Sequence, residues 1–171
     1  MPRFVAFLRG VSPMNARMPE LKRCFEAAGF TRVRTVLSSG NVVFDAPAAS
    51  ESELERKAEE AMQRGLGRTF YTIVRSVADL EKLLASDPYS AHGIPDDAKR
   101  VVSFLRDAAT PRVALPLAQD HASVFLVAGR EAFTAYVRSD KGPVFMKLIE
   151  QAFGSDVTTR TWSTVAKCAA A

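Results

Sequence analysis

Six segments in the first seventy-five residues, patterned in turn as strand, helix, strand, strand, helix and strand, limit this chain to very few topologies. Arg3–Leu8 is apolar on both alternating faces, as a central strand buried on two sides would be. Met18, Leu21, Phe25 and Ala28 then recur at helical spacing, with Lys22, Arg23 and Glu26 on the opposite side. Pro19 suits the first turn of that helix and Gly29 its C-terminal end. Thr31–Leu37 alternates, placing Val33, Thr35 and Leu37 on one face and Arg32 and Arg34 on the other. Ser38-Ser39-Gly40 signals a turn, and Asn41–Phe44 returns as a second strand that Pro47 ends. From Ser50, the run through Leu54, Ala58, Ala61 and Met62 reads as a helix whose acidic first turn, Glu51 and Glu53, complements the helix dipole. Thr69–Arg75 is the fourth strand.

This βαββαβ order predicts an α+β fold with a ferredoxin-like N-terminal half over residues 1–75. A right-handed crossover makes the first two strands parallel, and the hairpin returns antiparallel. The end of the first strand (Arg9, Gly10) and the hairpin tip (Ser39, Gly40, Asn41) are therefore expected at one end of the sheet. Residues 76–171 read as a second α+β half with mainly antiparallel strands. Ser76 caps a helix carrying Leu80, Leu83 and Leu84, with Asp79 three places on. A loop is expected through Asp87-Pro88 and Gly93-Ile94-Pro95. Strands follow at Arg100–Leu105, Ser123–Val127 and Phe133–Val137, with a proline-containing connection through Pro111 and Pro116. Val144–Phe153 is helical, Thr158–Arg160 extended, and Trp162–Ala170 a last helix. No low-complexity linker separates the halves, which are expected to pack directly.

The formal net charge of +4 lies wholly in the first half. Residues 1–40 alone hold seven Lys/Arg against two Asp/Glu, a balance that suits either an anionic partner or a solvated basic face. No apolar run approaches the roughly 18 residues of a membrane span, and the N-terminal apolar stretch stops at Arg9, too soon for a secretory signal. A cytoplasmic protein that does not engage membranes is the expectation.

Recognisable catalytic motifs are missing: there is no P-loop, GxGxxG, GxSxG or HExxH. Cys24, Cys168, His92 and His121 stand too far apart, and in no ligand-like spacing, to suggest a metal, and no cofactor is implied. Both histidines fall in predicted loops without a neighbouring nucleophile. Cys24 lies on the inner side of its helix and is expected to be buried and inert, with Cys168, near the C-terminus, the more accessible thiol.

Two polar clusters remain as candidate sites. One comprises Arg9, Gly10, Ser39, Gly40 and Asn41; the other is Thr158–Thr164, dense in hydroxyls around Arg160 and the single Trp162. An arginine beside backbone N–H groups of glycine turns suits a phosphate or carboxylate. The same residues equally suit caps and turns, with Trp162 in a core. Arg9, Asn41 and Arg160 are expected to line one shared concavity, with Trp162 forming part of its wall or floor. An anion would then lie between the arginines, or Asp45 or Asp156 would pair with them.

Four ordered stretches, Leu8–Val11, Met18–Leu21, Ser39–Phe44 and Thr158–Val165, resemble the family called domain of unknown function 1697. The resemblance implies a bacterial-type, two-part α+β protein and carries no established activity. Relatives usually have a Gly-rich, Lys-containing loop after the first strand. Here it reads Ser12-Pro13-Met14-Asn15-Ala16-Arg17, in which Asn15 and Arg17 are the polar survivors.

Three functional readings stay open. The leading one is a non-catalytic binding module for an anionic ligand, a phosphorylated metabolite or nucleic acid. Nucleic-acid binding would be weak and sequence-indifferent, because the strands lack the aromatic pattern that stacks bases. The others are a protein-interaction or structural role, and an enzyme with its site between the halves. Oligomeric state is not legible.

Overall fold

The computed structural model describes residues 1–138 and 142–171, which form an α+β structure. They divide into two compact units, Met1–Ala85 with Thr164–Ala171, and Ser86–Ser163. The division falls ten residues after the expected boundary between 75 and 76, and the first unit is discontinuous. Two local causes are visible. Ser76 closes a strand and also caps the following helix, its Oγ accepting from Asp79 N at 3.1 Å, so no linker intervenes there. At the other end, Arg3 Nε donates to the backbone oxygen of Ala171 at 2.9 Å, tying the last residues to the first strand.

The first unit is built on strands β1 (Arg3–Leu8), β2 (Thr31–Val36), β3 (Asn41–Asp45) and β4 (Thr72–Ser76), with helices α1 (Met18–Ala27), α2 (Glu51–Leu66) and α3 (Val77–Ser86). The strand order is β2-β3-β1-β4 with every neighbouring pair antiparallel, as the βαββαβ reading requires. One face of the sheet, through Phe4, Ala6, Leu8, Val42, Phe44 and Val74, forms a core with Leu21, Phe25, Leu54 and Met62 of the helices. Phe44 sits at its centre, stacked on Phe30 with ring centroids 4.2 Å apart and on Phe4 at 5.8 Å. The alternate residues Val5, Phe7, Val43 and Ile73 are also fully buried.

Local chemistry sets the helix ends. At the end of α1, Phe30 N donates to Phe25 O and Gly29 N to Glu26 O, the paired bonds of a Schellman motif. The rings of Phe25 and Phe30 meet at 5.9 Å, adding the apolar contact that accompanies that motif. Helix α2 starts on Ser50, which accepts from Glu53 N, and ends on Gly67 in the left-handed region.

Strand β4 lies at an edge of its sheet, where outward N–H groups would be open to another strand. Two carboxylates of α2, one turn apart, take them up. Glu55 Oε2 accepts from Val74 N at 2.9 Å, and Glu59 Oε2 from Thr72 N at 3.2 Å.

In the second unit, β5 (Lys99–Phe104), β6 (Leu117–Gln119), β7 (Ala122–Ala128), β8 (Glu131–Tyr136) and β9 (Thr158–Thr161) form a sheet of order β6-β7-β8-β5-β9, antiparallel throughout. The expected loop at residues 87–95 contains the short helix α4 (Pro88–Ala91), which Asp87 caps by accepting from Ser90 N. Helix α5 (Val144–Phe153) covers one face, its Leu148, Ile149 and Ala152 packing with Val124 and Ala132. Helix α6 (Trp162–Ala170) closes the chain.

Several sequence expectations need correction. The proline-containing connection includes the short strand β6, paired to β7 through the two-residue turn Asp120-His121, both at positive φ. β4 begins at Thr72 rather than Thr69, and β2 ends at Val36. A register shift between Thr31 and Arg34 breaks the alternation of β2, and Leu37 lies in the turn, half exposed, instead of on a buried face. Both cysteines are buried, and Cys168 is fully inaccessible, so the expectation that Cys168 is the more accessible thiol fails. It shares the inner side of α6 with Thr164 and Val165, four and three residues earlier.

Candidate functional site

The first polar cluster does assemble at one end of the first sheet. Phe7 is paired with Asn41, and Leu8 N donates to Gly40 O at 2.9 Å, which sets the hairpin tip beside the end of β1. Gly40 has φ +87°, and a Cβ there would lie 2.9 Å from Val11 Cβ and 3.1 Å from Leu8 Cβ. Only glycine fits that approach. Asn41 is fully buried, and its Nδ2 donates to Val36 O at 2.9 Å and Ser39 Oγ at 3.1 Å. Ser39 and Asn41 therefore close the hairpin with their polar atoms. Asn15 behaves likewise in the loop after β1: its Nδ2 donates to Gly10 O at 2.8 Å and its Oδ1 accepts from Ser12 N at 2.9 Å. Arg9 is half-buried and anchored through its backbone N–H to Tyr71 O.

Arg160 and Trp162 belong to the second unit. Arg160 lies on edge strand β9 opposite Val102, and its Nη1 donates to Thr159 O at 2.9 Å. Trp162 packs edge-on against Tyr89, with ring centroids 5.0 Å apart, and against Phe133 at 6.3 Å. Burial of Tyr89 pushes its phenol pKa up, and the hydroxyl donates to Val101 O. Ser103 Oγ and Thr159 Oγ1 share a 2.7 Å hydrogen bond. This cluster has the character of a packed aromatic core edged by paired hydroxyls. Of the eight candidate residues, Arg9, Gly10, Asn15, Ser39, Gly40 and Asn41 are brought together in one unit, with Arg160 and Trp162 near each other in the other.

A groove in the first unit was not expected from sequence. With a volume of about 620 Å³, it runs between α1 and α2, lined by Asn15, Glu20, Arg23 and Cys24 on one side and Ala61, Arg64 and Gly65 on the other. That volume lies within the ~300–1,000 Å³ range of small-molecule sites. Helical spacing creates its walls: Glu20, Arg23, Cys24 and Ala27 are three or four residues apart on α1, as are Ala61, Arg64 and Gly65 on α2. The i, i+3/i+4 signal was present in the sequence, but nothing in it aligned the two helices. Arg23 is exposed, and Arg64 is largely so, with Glu60 at 4.0 Å. The Cys24 thiol has its pKa raised, chiefly by burial, then by the charge of Glu20, with Arg23 pulling the other way. It is held as a neutral thiol, ill suited to nucleophilic attack.

A sequence profile described as a protein of unknown function, DUF1697, matches residues 1–133. The chain belongs to the DUF1697 family. The match takes in the Arg9–Gly10 and Ser39–Asn41 stretches and both walls of the groove, and ends before Arg160 and Trp162. Among curated proteins none matches the chain. A solved structure, the conserved bacterial protein SP0830 from Streptococcus pneumoniae, is similar in fold with a TM-score of 0.70. It is 19% identical, and the alignment covers 99% of this chain and 97% of that one. Among the described residues no helix is long and apolar enough to cross a membrane, and no group of His, Cys, Asp or Glu is arranged to hold a metal ion.

Proposed function

We propose that this DUF1697 protein is a non-catalytic binding module for a small anionic ligand, a phosphorylated or carboxylated metabolite, held in the groove between α1 and α2. The single observation that carries this reading is the pairing of Arg23 and Arg64 across a groove of ligand size, with Asn15 at its rim. A guanidinium presents fixed N–H donors that match phosphate and carboxylate oxygens. The one thiol in the groove is protonated and no histidine lines it, so binding without chemistry fits the residues present. Burial of Phe4, Phe7 and Phe44 on the central strands of the first sheet supports a small molecule over nucleic acid, since these aromatics are not free to stack on a base.

Titration calorimetry with inorganic phosphate and ethyl phosphate at low salt tests the proposal. Saturable binding is expected, weakened at least about tenfold by combined Arg23→Ala and Arg64→Ala, because a charge-assisted hydrogen bond contributes ~1.5–3 kcal/mol. Binding that ignores the double substitution, or no saturable binding at all, refutes it.

A further inference from the structure

Building on the anion reading above, we infer that the groove takes an anion that also carries an ammonium group, an amino-phosphate or amino-carboxylate. Glu20 and Arg23 stand one turn apart on α1, a spacing at which opposite charges normally meet. Both line the groove, yet among the described residues neither has an ion-pair partner. Arg64, on the facing wall, donates Nε to the backbone oxygen of Glu60 at 3.4 Å and reaches the Glu60 carboxylate only at 4.0 Å; it is mostly solvated, so its terminal guanidinium N–H groups are available to a ligand. The groove thus presents two cations and one uncommitted carboxylate to the same space.

A plain anion bridging Arg23 and Arg64 would face the Glu20 carboxylate, and like charges at that range repel. An ammonium on the same molecule removes the conflict: it donates to Glu20, which can only accept, while the anionic end takes the guanidinium donors. Ala27, Ala61 and Leu66 also line the groove, apolar side chains beside which a short methylene spacer fits. Both charges lie near the Cys24 thiol, where Glu20 pushes its pKa up and Arg23 pulls it down.

Two matched pairs test this on the intact chain: phosphoethanolamine against ethyl phosphate, and γ-aminobutyrate against butyrate, titrated at low ionic strength. The amino-bearing member of at least one pair is expected to bind about tenfold more tightly, as one charge-assisted hydrogen bond would give. Glu20→Gln should erase that difference while leaving ethyl phosphate bound as well or better. Equal affinity within both pairs overturns the ammonium inference and leaves the anion site standing. A preference that survives Glu20→Gln also overturns it, because the amine would then be read elsewhere. Failure of all four compounds to bind removes the anion site and this inference together.

Discussion

Gly65 and Cys24 meet where α2 passes α1: a Cβ on Gly65 would lie 2.7 Å from the Cys24 sulfur. Glycine in a helix interior costs ~1 kcal/mol relative to alanine, so Gly65 is kept at a local loss that the close approach explains. Gly65→Ala should therefore destabilise the protein by about 1 kcal/mol net, the overlap costing more than the helix gains. In a Cys24→Ala background the sulfur is gone, and the same change should stabilise. Urea denaturation of the four proteins in the cycle reads this directly, and additive effects would deny the contact.

Asp45 is almost fully buried and accepts from Arg3 at 2.7 Å and from Arg32 at 3.1 Å. Burial pushes its pKa up, but the Arg3 hydrogen bond and the charges of Arg32 and Arg3 outweigh that and hold it below the usual range. A lowered folded-state pKa stabilises fully above the unfolded value, about 3.9, and the contribution is lost as pH falls through the folded one. Asp45→Asn should cost ~2 kcal/mol at neutral pH, mostly through Arg3, since Arg32 is largely solvated. The difference between wild type and variant should shrink as pH drops below about 4. A constant difference from pH 7 to pH 2 would disprove the linkage.

Glu55→Ala strips the acceptor from Val74 N on edge strand β4 and should cost about 1–3 kcal/mol. Glu55→Gln keeps an acceptor oxygen and should cost less. Hydrogen exchange at the Val74 amide is the specific readout. It should accelerate in the alanine variant and stay slow in the glutamine one.

Neither thiol should react with a labelling reagent in the native protein on the timescale of its reaction in denaturant. Cys168 is expected to be the slower of the two, because Cys24 keeps slight exposure at the groove wall whereas Cys168 has none. Rapid native labelling at Cys168 would show that α6 opens readily.

The order of elements in the first unit was legible because its signals are local. Apolar residues three and four apart marked α1 and α2, Pro19 and Gly29 marked the two ends of α1, and Ser50 and Ser76 the starts of α2 and α3. The convergence of Arg9, Gly10 and the 39–41 hairpin was also legible, since crossover handedness places the strand ends once the order is known. What those polar residues do there was not. Asn41 and Asn15 turned out to hydrogen-bond their own loops, a choice that depends on the reach of each side chain in the folded backbone.

From the amino-acid sequence alone came the α+β class, the βαββαβ succession and the missing catalytic motifs, because periodicity and short motifs are properties of neighbouring residues. Tertiary structure decided that the last eight residues join the first unit, that Cys168 is inaccessible, that Glu55 and Glu59 close the β4 edge, and that Arg23 and Arg64 share a groove. Periodicity tells which side of an element is apolar, but not which distant element will cover it. Burial, edge satisfaction and the pairing of charges across two helices are all set by that second choice, made only when the chain closes on itself.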